Sequence, residues 1–167
     1  MDNPYLLYKS LHLLGVILFM GNIIITGWWK VMADRTGNPS IIAFAQRQVT
    51  LTDFVFTAGG ALLVLVTGLA NAAALGLSVK HYMVVDVSTF PTLWLKNGYW
   101  YFIASGVIWV LVLIPVQIMQ ARMARQFALT GVIPPRYWTL GRIWLWAGVL
   151  ATLIPLVNLY WMVFKPA

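Results

Sequence analysis

The histidine of the first apolar run is the side chain whose type and position best suggest chemistry. His12 lies within the run from Tyr5 to Trp29, roughly 10 Å inside the helix start at the usual rise per residue. Lipid offers an imidazole no hydrogen bond at that depth, so a partner or a ligand is expected there. Because imidazole can bind haem iron, relay a proton or bind another metal ion, His12 is our candidate metal ligand.

Other polar side chains are expected to share the outer half of the bundle with His12. The candidate catalytic residues are Lys96 and Lys9, of which Lys9 lies close to the helical stripe of His12. The candidate cofactor-binding residues are His12, Asn97, Asn158 and Lys165, and Asn71 belongs to the same group. The alternative is structural, because lysines near helix ends snorkel to head groups and amides hydrogen bond between helices.

A second polar group is expected towards the inner side of the bundle. Its members are Asn22, Asp53, Thr57, Gln117 and Arg142. Asp53 and Arg142 are its predicted ion pair. Asp53 has a structural alternative, since a carboxylate in the first turn of a helix is stabilised by the helix dipole.

Four long apolar runs must position these side chains. The chain has 167 residues, of which 61% are hydrophobic and 9% charged, whereas soluble domains carry about 25% charged residues. The predicted spans are residues 5–29, 51–75, 96–121 and 140–164, with an outer loop over 76–95. Each is long enough to cross about 30 Å of hydrocarbon as a helix. We therefore predict an all-α membrane protein, a single four-helix domain over residues 1–167.

Loop charge predicts how the bundle is oriented. The first loop carries Lys30, Arg35 and Arg47, and the third carries Arg122, Arg125 and Arg136. The second loop carries fewer basic residues, and cytoplasmic loops are enriched in lysine and arginine. We expect the first and third loops in the cytoplasm and both termini outside, in the periplasm. Residues 79–87 of the outer loop alternate enough to suggest a hairpin or a cap over the outer mouth.

Several classes of function are excluded by composition and motifs. The net charge of +7 comes from basic residues at the ends of apolar runs, not from a patch that would bind nucleic acid. The chain has no cysteine, so no disulfide or thiolate metal site is expected. Phosphate-binding loops and protease motifs are also absent from the sequence.

Short motifs along the chain resemble a known group of membrane proteins. Lys9-Ser10-Leu11-His12 resembles the Lys-x-Leu-His start of the HemJ-type protoporphyrinogen oxidases and copper-resistance D proteins. The run over 29–39 is more closely similar to a family of predicted bacterial inner-membrane proteins within that group. The motifs over 94–96, 121–127 and 163–166 also resemble the HemJ-type third span, its basic exit and its C-terminal ending.

The resemblance implies roles for individual residues. In the HemJ-type enzymes a first-span histidine binds haem b and a third-span lysine supports activity, which here would be His12 and Lys96. Lys96 stands two residues earlier than the family spacing, and the segment 103–105 has no histidine where those enzymes have one. Haem at His12 is therefore implied more strongly than oxidation of a porphyrinogen.

The leading interpretation is a haem-b redox protein of the bacterial inner membrane that oxidises a hydrophobic substrate or passes electrons to quinone or a protein partner. One alternative is a non-catalytic subunit or assembly factor, in which small residues pack against partner helices. The other is transport of a small solute or metal, for which a four-helix chain would have to form a homo-oligomer. Nucleic acid is not an expected partner.

Overall fold

Four long helices make up the computed structural model, which describes residues 4–75 and 93–166. They are α1 (Pro4–Arg35), α2 (Pro39–Ala74), α3 (Leu93–Thr130) and α4 (Pro135–Phe164). All four are long and apolar enough to cross a membrane, and the described ranges contain no strand. The chain is thus an all-helical, multi-pass membrane protein. The predicted hairpin or cap at 79–87 lies outside the described residues.

Helices α2 and α3 continue well beyond the predicted spans. Asn38 caps α2, its side-chain oxygen accepting hydrogen bonds from the backbone N–H groups of Ser40 and Ile41, and Pro39 suits a first helical position. At the other connection α3 ends at Gly131, whose φ of 72° is the left-handed conformation that favours glycine. Only residues 36–38 and 131–134 connect the helices at this end, which we call the basic end.

The helices pack as two pairs. Helix α1 packs mainly on the second half of α2, and α3 packs on α4. Gly15 and Gly60 bring the first pair into backbone contact: a Cβ on Gly60 would lie 2.8 Å from the backbone nitrogen of Phe19. In the second pair, the Ser105 hydroxyl donates to the carbonyl of Ala151 at 2.8 Å. Small and polar residues are what draw helices together in lipid.

Two π-helical turns interrupt the long helices. Residues Trp109–Leu113 widen α3 just before Pro115, which has no N–H to donate to the preceding turn. Residues Asp53–Ala58 widen α2 and set Asp53 beside Thr57, whose hydroxyl donates to the carboxylate at 3.0 Å. Such turns are frequent at functional sites.

The two pairs are joined at the basic end, where the core lies. One cluster consists of Ile42, Ala124, Phe127 and Tyr137 from α2, α3 and α4. A second cluster, deeper in the bundle, includes Val49, Leu113, Leu140 and Trp144. The helices α1 and α4 make few contacts with each other, and a space lies between them.

Candidate functional site

A cavity of about 680 Å³ separates α1 from α4, and we call it the α1–α4 cavity. It runs along α1 from Phe19 to Val31 and is closed at the back by α2 and α3. Three of its lining residues are more than half exposed at the bundle surface: Ile24 at 55%, Trp28 at 60% and Leu153 at 53%. The cavity therefore opens sideways, towards the acyl chains of the bilayer.

Part of the back wall is a hydrogen-bonded polar cluster. The Asn22 amide donates to the Asp53 carboxylate at 2.8 Å and to the Thr57 hydroxyl at 2.9 Å, and the Gln117 side chain also hydrogen bonds Asp53. The inner polar group predicted from the sequence is thus confirmed for these residues. An ionisable residue at such a depth in a membrane protein is by default a candidate functional residue.

The predicted ion pair between Asp53 and Arg142 is wrong. Within residues 4–75 and 93–166, Asp53 has amide and hydroxyl partners only. Arg142 lies instead at the basic end, beside Lys30 and Asp34.

Most of the cavity wall is apolar despite the polar residues in it. Thr57 donates its hydroxyl proton to Asp53, and Ser105 donates its own to the carbonyl of Ala151. The other lining residues are mainly aliphatic and aromatic, including Phe102 and Trp109. Because these hydroxyl protons are already used, the wall suits an apolar chain better than a strongly polar ligand.

A buried charge network lies just below the cavity at the basic end. The Lys30 ammonium is 2% exposed and donates to Asp34 at 3.1 Å and to the Tyr137 hydroxyl at 2.9 Å. Tyr137 in turn donates to the second oxygen of Asp34 at 3.2 Å. The rings of Tyr137 and Trp144 also face the ammonium, with centroids at 4.9 and 5.6 Å.

Sequence reasoning missed this network. The sequence predicts Lys30 only as a loop charge, and Tyr137 is not among the candidate residues. The four-residue spacing of Lys30 and Asp34 on one helix was a signal for their pairing. No local signal points to Tyr137, which is 107 positions from Lys30.

His12 is held against α2 near the opposite end of the bundle. Its Nδ1 lies 2.9 Å from the Val64 carbonyl and 3.3 Å from the Thr67 hydroxyl oxygen. A carbonyl only accepts, so Nδ1 carries the proton, and no described residue hydrogen bonds to the Nε2 lone pair. The ring edge rests on Gly68, where a Cβ would come within 3.1 Å of Cε1.

With Nδ1 bound to a carbonyl, His12 is a side chain that could hold a haem iron through Nε2. Metal-binding histidines usually donate their other ring N–H to a carbonyl or carboxylate, as His12 does to Val64. His12 does not line the α1–α4 cavity, so a haem held by His12 would be bound outside that cavity. Its bound iron would supply one-electron chemistry. Among residues 4–75 and 93–166 no cluster of three histidine or acidic side chains forms another metal site.

Among the described residues, no hydrogen bond or ion pair joins the other predicted site residues to His12. Lys9 and Lys96 are exposed on α1 and α3, and Asn97 is part-buried on α3. Asn158 donates to the carbonyl of Gly98 at 2.9 Å. The Lys165 ammonium lies 5.0 Å from the ring centroid of Trp94. Asn158 and Lys165 therefore contact α3, whereas His12 contacts α2.

Comparison with known proteins assigns a family to this fold. The model of the family described as "Predicted integral membrane protein (DUF2269)" matches residues 6–166. Neither a curated protein nor a solved structure matches the chain. The family match covers nearly the whole chain and agrees with its four membrane-spanning helices, and the protein belongs to the DUF2269 family of integral membrane proteins.

Proposed function

We propose that this protein binds a lipophilic molecule that enters the α1–α4 cavity from the bilayer. The observation that carries the proposal is the cavity itself, about 680 Å³ in volume and open sideways between two membrane-spanning helices. Ligand pockets in proteins measure roughly 300 to 1,000 Å³ and are mostly apolar with a few polar groups. This cavity has both properties, with Asp53 and Thr57 in its wall.

The chemistry of the wall favours a molecule with an apolar chain. Burial in protein gives little hydrophobic gain over lipid, because lipid tails are as apolar as the side chains. Binding must come from shape and from a few polar contacts. The hydroxyl protons of Thr57 and Ser105 are used within the protein, which leaves close packing of an acyl or isoprenoid chain as the main source of affinity in the cavity.

A cavity-filling variant tests the proposal. Gly148 lines the cavity, and a Cβ on it would meet no atom within 4 Å. Gly148→Phe should therefore fold and occupy the cavity. Gly21→Phe is the matched control, because Gly21 has the same open surroundings but does not line the cavity.

The measurement is native mass spectrometry of protein purified in mild detergent with palmitoyl-oleoyl phosphatidylcholine and phosphatidylglycerol. We expect wild type and Gly21→Phe to retain bound lipid, and Gly148→Phe to retain at least about fivefold less, equivalent to about 1 kcal/mol. Equal retention by all three proteins would overturn the proposal.

A haem-b redox function is a second candidate, favoured by the hydrogen bond from His12 Nδ1 to the Val64 carbonyl. In that case His12 is the axial ligand and a quinone is the ligand suited to the cavity. His12→Ala should abolish the Soret band of protein expressed with added haem, and His81→Ala, which removes the other histidine, should keep it. A Soret band unchanged in His12→Ala would rule out this assignment.

The orientation of the chain is also a proposal. The connections at 36–38 and 131–134 lie at the end that carries most of the basic residues, and such loops are retained in the cytoplasm. We propose a bacterial inner-membrane location with this basic end facing the cytoplasm and both termini outside.

A further inference from the structure

A second, smaller cavity adjoins the α1–α4 cavity at the basic end. It measures about 250 Å³ and is lined by residues of α1 and α4 only. Val31, Trp144 and Leu145 line both cavities, so the two cavities are adjacent. We call the smaller one the basic pocket, because Lys30, Arg35 and Arg142 line it with a single acid, Asp34.

The charges of the basic pocket are not balanced. Asp34 is hydrogen bonded to Lys30 at 3.1 Å and to the Tyr137 hydroxyl, which leaves the pocket with two guanidinium groups. Arg35 and Arg142 are both exposed, and within the described part of the chain neither forms an ion pair. Guanidinium groups present planar pairs of donors that match the oxygens of a phosphate.

We propose that the ligand is an anionic lipid, with its phosphate between Arg35 and Arg142 and an acyl chain in the α1–α4 cavity. This inference rests on the proposed function and adds the chemical class of the ligand. The two cavities follow one another along α1, so the apolar one can hold the acyl chain while the basic pocket holds the phosphate. Trp138 lines the basic pocket, and tryptophan is enriched where head groups meet acyl chains.

Lys30 also lines the basic pocket, but it does not itself hold the phosphate. Its ammonium is 2% exposed, and it donates to Asp34 and Tyr137. Its charge is thereby paired within the protein. The two arginines remain as the groups that recognise an anion.

Competition between two lipids tests the inference. Wild-type protein in mild detergent is mixed with equal amounts of palmitoyl-oleoyl phosphatidylglycerol and palmitoyl-oleoyl phosphatidylcholine, and bound lipid is counted by native mass spectrometry. We expect about thirtyfold preference for phosphatidylglycerol, since two basic residues near an anionic group contribute about 1 kcal/mol each. Arg35→Gln/Arg142→Gln should bring the two lipids close to equal occupancy.

The matched control is Arg122→Gln/Arg125→Gln. These arginines are exposed on α3 near the basic end and line neither cavity. The control removes the same charge and should keep the preference. Loss of the preference in both double variants to the same extent would show general surface attraction and would overturn the inference.

The remaining outcomes separate this inference from the proposed function. If Gly148→Phe reduces retention of both lipids while Arg35→Gln/Arg142→Gln keeps the preference, lipophile binding stands and the anionic assignment fails. If Gly148→Phe retains both lipids as wild type does, the cavity is not the binding site and both proposals fail. If inorganic phosphate at the same concentration as the lipid removes the preference, the arginines recognise free phosphate and the lipid assignment fails.

Discussion

The ammonium of Lys30 donates a hydrogen bond to the hydroxyl of Tyr137 at 2.9 Å, which ties the end of the first helix to the start of the last. Both side chains are almost fully buried, at 2% and 0% exposed. This contact closes the bundle at its basic end, whereas α1 and α4 separate around the cavity above it. The network therefore holds α1 and α4 together at one end of the cavity.

Lys30→Met should lower the free energy of unfolding by about 3 kcal/mol, because Asp34 loses its partner while still partly buried. Tyr137→Phe should cost about 1 kcal/mol, since it removes one hydroxyl and keeps the ring. The double variant should cost less than the sum, because the two side chains share one network. Unfolding by SDS titration in mixed micelles, followed by tryptophan fluorescence, measures all three.

Arg35→Met is the control for charge removal. Arg35 is exposed on the same helix and takes no part in the network, so the expected change is within about 0.5 kcal/mol. A loss for Lys30→Met no larger than for Arg35→Met would contradict a stabilising role of the network.

Gly60→Ala should weaken the packing of α1 on α2. Its Cβ would lie 2.8 Å from the backbone nitrogen of Phe19 and 3.0 Å from the carbonyl oxygen of Gly15, and a backbone cannot move aside as a side chain can. We expect a loss of about 1 to 3 kcal/mol, the usual cost of overpacking, in the same titration.

The neighbouring glycine gives the control for this prediction. A Cβ on Gly59 would meet no atom within 4 Å, so Gly59→Ala should leave stability unchanged or raise it by up to about 1 kcal/mol through helix propensity. If both variants lost the same stability, the close approach of the α1 and α2 backbones would not be the reason that position 60 requires glycine.

The four helices were predictable because each contains an apolar run long enough to cross a bilayer. Their true lengths were not read from the sequence, since 39–50 and 122–130 carry polar and charged residues typical of loops. In the bundle, Gln46 from the first of these segments turns inwards and is buried. The signals for the helix ends were present nonetheless, in Asn38-Pro39 at one connection and Gly131 at the other.

The candidate site was only partly predictable. The polar cluster of Asn22, Asp53 and Thr57 was predictable, because hydrocarbon offers these side chains no hydrogen-bond partners. The cavity did not, because it depends on how far α1 and α4 separate, which no local pattern specifies. The predicted pair of Asp53 with Arg142 failed because a deep carboxylate found nearer partners in amides and a hydroxyl.

Reporter fusions test the proposed orientation. Fusing alkaline phosphatase after residue 166 should give an active enzyme and fusing green fluorescent protein there a dark one, because a C-terminus outside the inner membrane exports the reporter. Fusions placed within 36–38 should give the reverse, since the basic end is held in the cytoplasm. Phosphatase activity at 36–38 together with fluorescence at the C-terminus would establish the opposite orientation.

Substitution of Asp53 separates the hydrogen-bonding role of its oxygens from the role of its charge. Asp53→Asn keeps an oxygen that accepts from Asn22 and Thr57, so unfolding should change by less than about 1 kcal/mol. Asp53→Leu leaves the Asn22 amide and the Thr57 hydroxyl without their acceptor and should cost about 2 to 3 kcal/mol. SDS titration gives the two stabilities, and native mass spectrometry gives lipid retention for the same proteins. If Asp53→Asn retains as much lipid as wild type, the charge of Asp53 is not needed and the cavity binds lipid through its shape. If Asp53→Asn loses lipid while its stability is unchanged, the Asp53 carboxylate contacts the ligand.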